Sequence, residues 1–159
     1  NVFRSVPVLV MILWVYYGLP VSLGIDLDVF SAAVVVLALC DAAFEAEIFR
    51  AGIQSIERDQ VESAKSLGFK PWQTMRYVIL PQALRRILPP LGNQFVYILK
   101  ISSLVSVIGF GDLTRKANEL NVTEYRPLEI YTVLIVEYLA IILLASWAVK
   151  KLEQALRID

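Results

Sequence analysis

The most constraining feature of this sequence is an uncharged run between Arg4 and Asp26, SVPVLVMILWVYYGLPVSLGI. About 20 predominantly apolar residues allow an α-helix to cross the hydrocarbon core of a membrane. Composition agrees, because the chain is 57% hydrophobic and 19% charged, against about 45–50% and about 25% in soluble domains. The sequence predicts an all-α integral membrane protein, in which Pro20 and Gly24 close the first span into a loop.

Three further stretches have the length and composition of membrane spans. They run from about Val29 to Phe49, from about Ile87 to Gly111 and from about Leu128 to Val149. We therefore predict four spans within a single transmembrane domain, residues 1–159. The chain starts with Asn1 and enters an apolar run almost at once, so we expect a fragment that lacks its N-terminal part.

Missing residue types exclude several classes of function. The chain has no histidine and one cysteine, Cys40, which excludes an internal disulfide, histidine acid–base catalysis and a usual zinc site. It has no Gly-x4-Gly-Lys phosphate loop, so ATP and Mg²⁺ would have to bind to another chain. We predict no catalytic residue, metal or cofactor in this chain, no nucleic-acid partner, and a buried, inert Cys40 thiol.

The basic residues predict the orientation in the membrane, because cytoplasmic loops are enriched in Lys and Arg. With the polar loop between the second and third spans inside, eleven basic residues are cytoplasmic and three are external. We therefore expect both ends and residues 59–86 to face the cytoplasm. The inner set is Arg4, Arg50, Arg58, Lys65, Lys70, Arg76, Arg85, Arg86, Lys150, Lys151 and Arg157; the outer set is Arg115, Lys116 and Arg126.

The polar loop contains residues that typically begin and end a short helix. Asp59 and Glu62 have the spacing of a capping box, and Gly68 suits the left-handed position that ends a helix. Between them, Val61, Ala64 and Leu67 form a narrow apolar stripe. Such a short helix needs a surface to dock against. Periodicity alone leaves two surfaces open, the groove of a partner protein and the lipid headgroups.

A second short helix is predicted directly after the first. Pro71 suits its first turn, and Pro81 is expected to break it before the third span. Trp72 and Tyr77 are interpreted as anchors at the membrane interface.

Within this loop, Glu62-Ser63-Ala64, Gly68 and Val78-Ile79-Leu80-Pro81 resemble the EAA signature of ATP-binding-cassette importer permeases. Ser63 and Val78 replace the family's usual Ala and Ile at these two positions. Four other stretches resemble the polar amino-acid uptake branch of that family, the histidine, glutamine and glutamate permeases. They are FRSVP (residues 3–7), YYGLP (16–20), AEIFRAGIQSI (46–56) and KISSLVSVIG (100–109).

The resemblance implies a permease of the type I importer fold that does no covalent chemistry and carries polar amino acids across the bacterial cytoplasmic (inner) membrane. Residues 59–81 would be the cytoplasmic coupling-helix loop that docks on an ATPase. Implied partners are two ATP-binding subunits, a second permease subunit (identical or sister), and an external, periplasmic solute-binding protein. The expected coupling residues are Glu62, Ser63, Ala64, Leu67, Gly68 and Pro81. A missing N-terminal span also fits this family.

Polar residues at membrane depth are expected to face protein or a water-filled path. On this basis a substrate path is predicted, with two interpretations of its charges left open. Lys100, Asp41 and Glu45 would either bind the substrate or pair with one another and fix helix packing. A proton-coupled secondary transporter using Asp41, Glu45 and Glu137 is the alternative function. The path residues are Asn93, Gln94, Lys100, Ser102, Ser103, Asp41 and Glu45.

Overall fold

The computed structural model describes residues 5–156, and every regular element among them is helical. We number the helices α1 (Val8–Leu23), α2 (Val29–Gln54), α3 (Arg58–Ser66), α4 (Pro71–Ile108), α5 (Leu113–Glu124) and α6 (Pro127–Leu156). The predicted all-α membrane fold is confirmed. Three helices, α2, α4 and α6, are long and apolar enough to cross a membrane, and α1 is apolar but shorter.

The helices pack side by side, and the end of α4 also contacts α1 and α5. α2 contacts both α1 and α4, α4 contacts α6, and α6 contacts α5. The larger buried core joins α1, α2 and the end of α4; it includes Ile12, Val36, Cys40 and Val105. The prediction of a buried Cys40 is confirmed, since the residue is 1% exposed. A second, smaller core joins α2, α4 and the residues between α2 and α3.

α4 is much longer than the predicted third span. Its 38 residues correspond to about 57 Å at about 1.5 Å per residue, nearly twice the hydrocarbon thickness of about 30 Å. The predicted break at Pro81 is wrong, because Pro81 lies inside this helix.

Local rewinding explains why that proline is tolerated. A π-helical segment, Met75–Ile79, ends two residues before Pro81, and such adjustments accommodate the missing backbone N–H of a proline in membrane helices. Gln82 Nε2 also donates to the Val78 carbonyl at 2.9 Å.

The same arrangement occurs in α1 and corrects a second prediction. A π segment, Trp14–Gly18, ends two residues before Pro20, and the helix continues to Leu23. Pro20 therefore does not close the first span. Gly24 ends it, with φ of 66° and its N–H donating to the Pro20 carbonyl at 2.9 Å.

α5 is an element that the sequence reasoning did not predict. Asp112 caps its start by accepting a 2.8 Å hydrogen bond from the Arg115 N–H. Glu119 accepts from Lys116 Nζ and Arg115 Nε, both at 2.9 Å. These hydrogen bonds, first from Lys116 and then from Arg115, lower the pKa of Glu119. Arg115 and Lys116, which the sequence predicts to lie outside the membrane, thus belong to one amphipathic helix beside α6.

Candidate coupling surface and transport path

The helix α3 has the predicted end but not the predicted start. It begins at Arg58 after Glu57, without a side-chain cap, and Asp59 lies in its first turn. The predicted Asp59–Glu62 capping box is therefore wrong, because the helix begins two residues earlier than that pattern requires.

The end of α3 is fixed by Gly68, whose φ is +80°. The Phe69 N–H donates to the Ala64 carbonyl at 3.1 Å, and the Gly68 N–H donates to the Lys65 carbonyl at 2.9 Å. These two bonds are the Schellman arrangement, which requires a left-handed residue at the position of Gly68. The chain then reverses directly into α4 at Pro71, as predicted for the first turn.

The apolar stripe of α3 is divided between two surfaces. Ala64 is 4% exposed and Val61 is half-buried, because this face of α3 packs on the start of α4. Leu67 is 77% exposed, and Glu62 and Ser63 are also exposed. Ala64 thus holds α3 to its own chain, and the surface free for a partner is formed by its polar residues and Leu67.

The aromatic residues of the second predicted helix lie beside this surface. Trp72 and Tyr77 are exposed, with ring centroids 6.3 Å apart, and the Arg76 guanidinium lies 6.0 Å from the Tyr77 ring. Their predicted role as membrane-interface anchors stays a prediction.

Five of the seven predicted path residues fall into two groups on different sides of α4, and the other two, Ser102 and Ser103, follow Lys100. The first group lies between α2 and α4, where Gln94 Nε2 donates to Asp41 Oδ1 at 2.7 Å. Glu45, one turn from Asp41 on α2, is half-buried. Among residues 5–156 no salt bridge joins Lys100 to Asp41 or Glu45. At this level of the two helices, the amide of Gln94, and not Lys100, bonds to Asp41.

The second group lies between α4 and α6. Asn93, Tyr97 and Lys100 line a cavity of about 560 Å³ together with Ser146, Lys150 and Glu153 of α6. The α4 residues recur every three or four positions, and so do the α6 residues. Two polar helix faces therefore meet along this cavity.

The α6 half of this cavity was missed by the sequence reasoning. Its signal was present as polar residues at positions 146, 150 and 153, at helical spacing at the end of an apolar helix. Lys150 contributes to the sequence prediction only as one of the basic residues that indicate membrane orientation.

The serines after Lys100 terminate the regular α-helix. The Ser102 hydroxyl donates to the Leu99 carbonyl and the Ser103 hydroxyl to the Lys100 carbonyl, both at 2.8 Å. From Ser102 to Ile108 the helix is 3₁₀, and Gly109 ends it with φ of 91°. Both hydroxyl hydrogens are used within the helix, which leaves the oxygens as acceptors.

Glu137 lies apart from the other membrane carboxylates. It lines a cavity of about 330 Å³ between α5 and α6, together with Lys116 and Glu129. The three carboxylates of the proton-coupled alternative are thus distributed between the α2–α4 and α5–α6 contacts.

Comparison with known proteins identifies the family to which this architecture belongs. Residues 1–158 match the family described as binding-protein-dependent transport system inner membrane component. The glutamine transport system permease protein GlnP of Escherichia coli (strain K12) is 41% identical over 159 residues, which cover 99% of this chain and 73% of that protein. The arginine transport system permease protein ArtQ of Bacillus subtilis (strain 168) is 38% identical over 157 residues, covering 99% of this chain and 72% of ArtQ.

Solved structures show the same fold. A crystal structure of an amino acid ABC transporter with histidines superposes with a TM-score of 0.90 at 44% identity, over 97% of this chain and 72% of that one. The inward-facing MetNI methionine ABC transporter superposes with a TM-score of 0.79 at 23% identity, over 99% and 72% of the two chains. The chain therefore belongs to the family of inner membrane components of binding-protein-dependent transport systems, and it is a transport permease subunit with the fold of ATP-binding-cassette importers.

Proposed function

We propose that this chain is the permease subunit of an ATP-driven importer of polar amino acids, coupled to a separate ATPase through residues 59–81. The observation that carries the coupling is the arrangement of α3. The helix is anchored to its own chain by Ala64, is closed by the left-handed Gly68 and presents Leu67 outward. Its amino-acid substrate is supported by the relatives, which are named for glutamine, arginine and L-cystine transport.

The exposed part of α3 fits a protein partner. Leu67 projects from a surface of exposed polar residues that includes Glu62, Ser63 and Lys65, and the exposed rings of Trp72 and Tyr77 lie beside it. Apolar and aromatic residues within a polar rim are typical of protein–protein interfaces. The partner would be a cytoplasmic ATPase subunit that binds ATP and Mg²⁺. Two such subunits, a second permease subunit and an external binding protein complete the proposed assembly. Within residues 59–81, Gly68 ends α3 and Pro81 lies inside α4.

The substrate path follows the polar cavity between α4 and α6. Charged side chains at membrane depth cost about 2.5–3.5 kcal/mol each on insertion scales unless protein or water meets them. Lys100 and Lys150 could hold a carboxylate, and Glu153 an ammonium group, so the cavity offers both signs of charge to an amino acid. Asn93 adds amide hydrogen-bonding groups to this cavity. Ser102 and Ser103 follow Lys100 along α4 and would add oxygen acceptors to the path beyond the cavity.

The Asp41–Gln94 pair has a different role in this proposal. Because the Gln94 amide already donates to Asp41, these two groups fix α2 against α4 beside the path. Asp41 and Glu45 remain available to a cationic group of a substrate through their other oxygens.

The test is uptake of labelled amino acids into proteoliposomes that contain the full-length permease, its ATPase and permease partners, and the binding protein. We expect uptake only with enclosed ATP. Uptake that ignores ATP and follows an imposed proton gradient would support the carboxylate-driven alternative instead.

A matched pair of variants tests the coupling surface in the same assay. Leu67→Ser should reduce ATP-driven uptake about ten-fold, which corresponds to a loss of about 1.4 kcal/mol of docking free energy. Leu128→Ser is the control, because Leu128 is equally exposed at 79%, at the start of α6. Equal uptake by both variants would contradict docking through Leu67.

A further inference from the structure

The connection between the coupling helix and the membrane depends on an interaction that neither the EAA-like signature nor the path residues include. The Arg86 guanidinium of α4 donates, through Nη1, to the backbone carbonyl of Ser55. Ser55 is the residue at which α2 ends. The last carbonyls of a helix lack partners within the helix and carry partial negative charge, so a cation is favoured there. Arg86 thus caps α2 from a neighbouring helix.

Apolar contacts reinforce this attachment on the same turn of α4. Ile56, in the linker between α2 and α3, is buried against Ala83 and Ile87. Gly52 lies directly opposite Ile87, and a Cβ added to it would stand 2.1 Å from Ile87 Cγ1. The linker that enters α3 is therefore held on α4, and the residues that leave α3 continue directly into α4 at Pro71. Only short connections join α3 to α2 and to α4, so a displacement of α3 would move the adjoining ends of these helices.

α4 itself is weakened immediately beyond Arg86. Pro89 and Pro90 both lie within the helix, and neither can donate a hydrogen bond to the carbonyl four residues earlier. The polar residues of the proposed path, Asn93 and Lys100, lie beyond this break. Backbone bonds of α4 alone are therefore a poor connection between the coupling helix and the path.

α2 passes alongside this break without interruption. It is bound to α4 below the prolines by the Ser55–Arg86 bond and above them by the Asp41–Gln94 bond of 2.7 Å. The Phe44 and Tyr97 rings, with centroids 6.4 Å apart, add a contact above the break. Because α2 is continuous and attached to α4 on both sides of the prolines, it can transmit movement across this break.

We propose that Arg86 is a positioning residue for energy coupling, which locks the end of α2 to α4 so that movement of the coupling helix reaches the path through α2. This inference rests on the proposed function. Removing the lock should leave ATP hydrolysis intact and reduce its effect on transport.

The experiment compares Arg86→Met with Arg85→Met in proteoliposomes holding the full-length permease, its partner subunits and the binding protein. Arg85 is a suitable control because it is an adjacent exposed arginine with no hydrogen bond or ion pair among the described residues. The readout is the number of amino acids imported per ATP hydrolysed. We expect about a ten-fold fall in Arg86→Met, the usual size of a coupling between sites, with ATP hydrolysis unchanged.

Rescue distinguishes the hydrogen bond from side-chain bulk. Arg86→Lys keeps a cationic donor and should restore most of the ratio, whereas Arg85→Met should equal the wild type. An unchanged ratio in Arg86→Met would overturn the inference. So would a parallel fall in uptake and ATP hydrolysis, which would assign Arg86 to assembly alone. Absence of ATP-dependent uptake in the wild-type complex would instead refute the proposed function.

Discussion

Gly68 shows how one residue can determine the coupling surface. Its φ of +80° lies in the left-handed region, which costs an L-residue about 1–2 kcal/mol and a β-branched one more. No other atom lies within 4 Å of a Cβ built at this position. Any effect of a larger side chain therefore acts through the backbone and not through a steric clash.

We predict that Gly68→Val abolishes ATP-driven uptake and leaves the protein in the membrane. The valine would disfavour the two bonds that close α3, and Leu67 would no longer be presented in the same direction. Gly111→Val is the matched control, since its Cβ also meets no atom within 4 Å and its φ is not in the left-handed region. Normal uptake in Gly68→Val would show that the shape of the α3 end is irrelevant to coupling.

The residue scale also shows where sequence reasoning succeeds. Gly68 and Pro71 were placed correctly because each acts through its own backbone conformation. Ala64 belongs to the predicted apolar stripe but packs on its own chain, since periodicity reveals which residues share a face and not which neighbour covers that face. The Asp41–Gln94 bond joins residues 53 positions apart, and no local pattern could have paired them.

At the scale of helices, the contact between α2 and α4 near the end of α2 is a close one. It depends on Gly52, which is buried with Ile87 directly above it. Small residues at membrane-helix contacts allow the backbones to approach closely. The contact holds the linker to α3 and also holds α2 beside the proline break of α4. Its loss should therefore lower the free energy of unfolding first.

We predict that Gly52→Ala destabilises the protein by about 1–3 kcal/mol, the usual effect of overpacking a tight contact. Unfolding in detergent micelles measures this effect, with Gly111→Ala as the neutral control. Adding Ile87→Ala should relieve the clash, so that the double variant loses less than the sum of the two single variants. Strict additivity would mean that Gly52 and Ile87 do not share a contact in the membrane.

Helix boundaries were harder to predict than helix existence. Because proline lacks a backbone donor, the sequence predicts breaks at Pro20 and Pro81. Each instead follows a π-helical segment by two residues, and that rewinding lies outside simple proline rules. α5 was missed because its stabilising interactions, the Asp112 cap and the Glu119 pairs, produce no apolar run.

At the scale of the whole molecule, the membrane orientation is predicted from charge. The bias of basic residues predicts α3 in the cytoplasm and α5 outside, and the length of α4 would allow its first turns to extend beyond the membrane. The proposed ATPase contact and the proposed path depend on this orientation together, because α3 can meet a cytoplasmic partner only if it lies inside.

Cysteine accessibility can test this orientation directly in cells. Lys70 and Asn118 are both exposed, in the α3–α4 turn and in α5, while the native Cys40 is buried and should give little background. We predict that a membrane-impermeant maleimide labels Asn118→Cys in intact spheroplasts and labels Lys70→Cys only after permeabilisation. The reverse pattern would place α3 outside the cell, where no ATPase could reach it, and the coupling proposal would then fail along with the orientation.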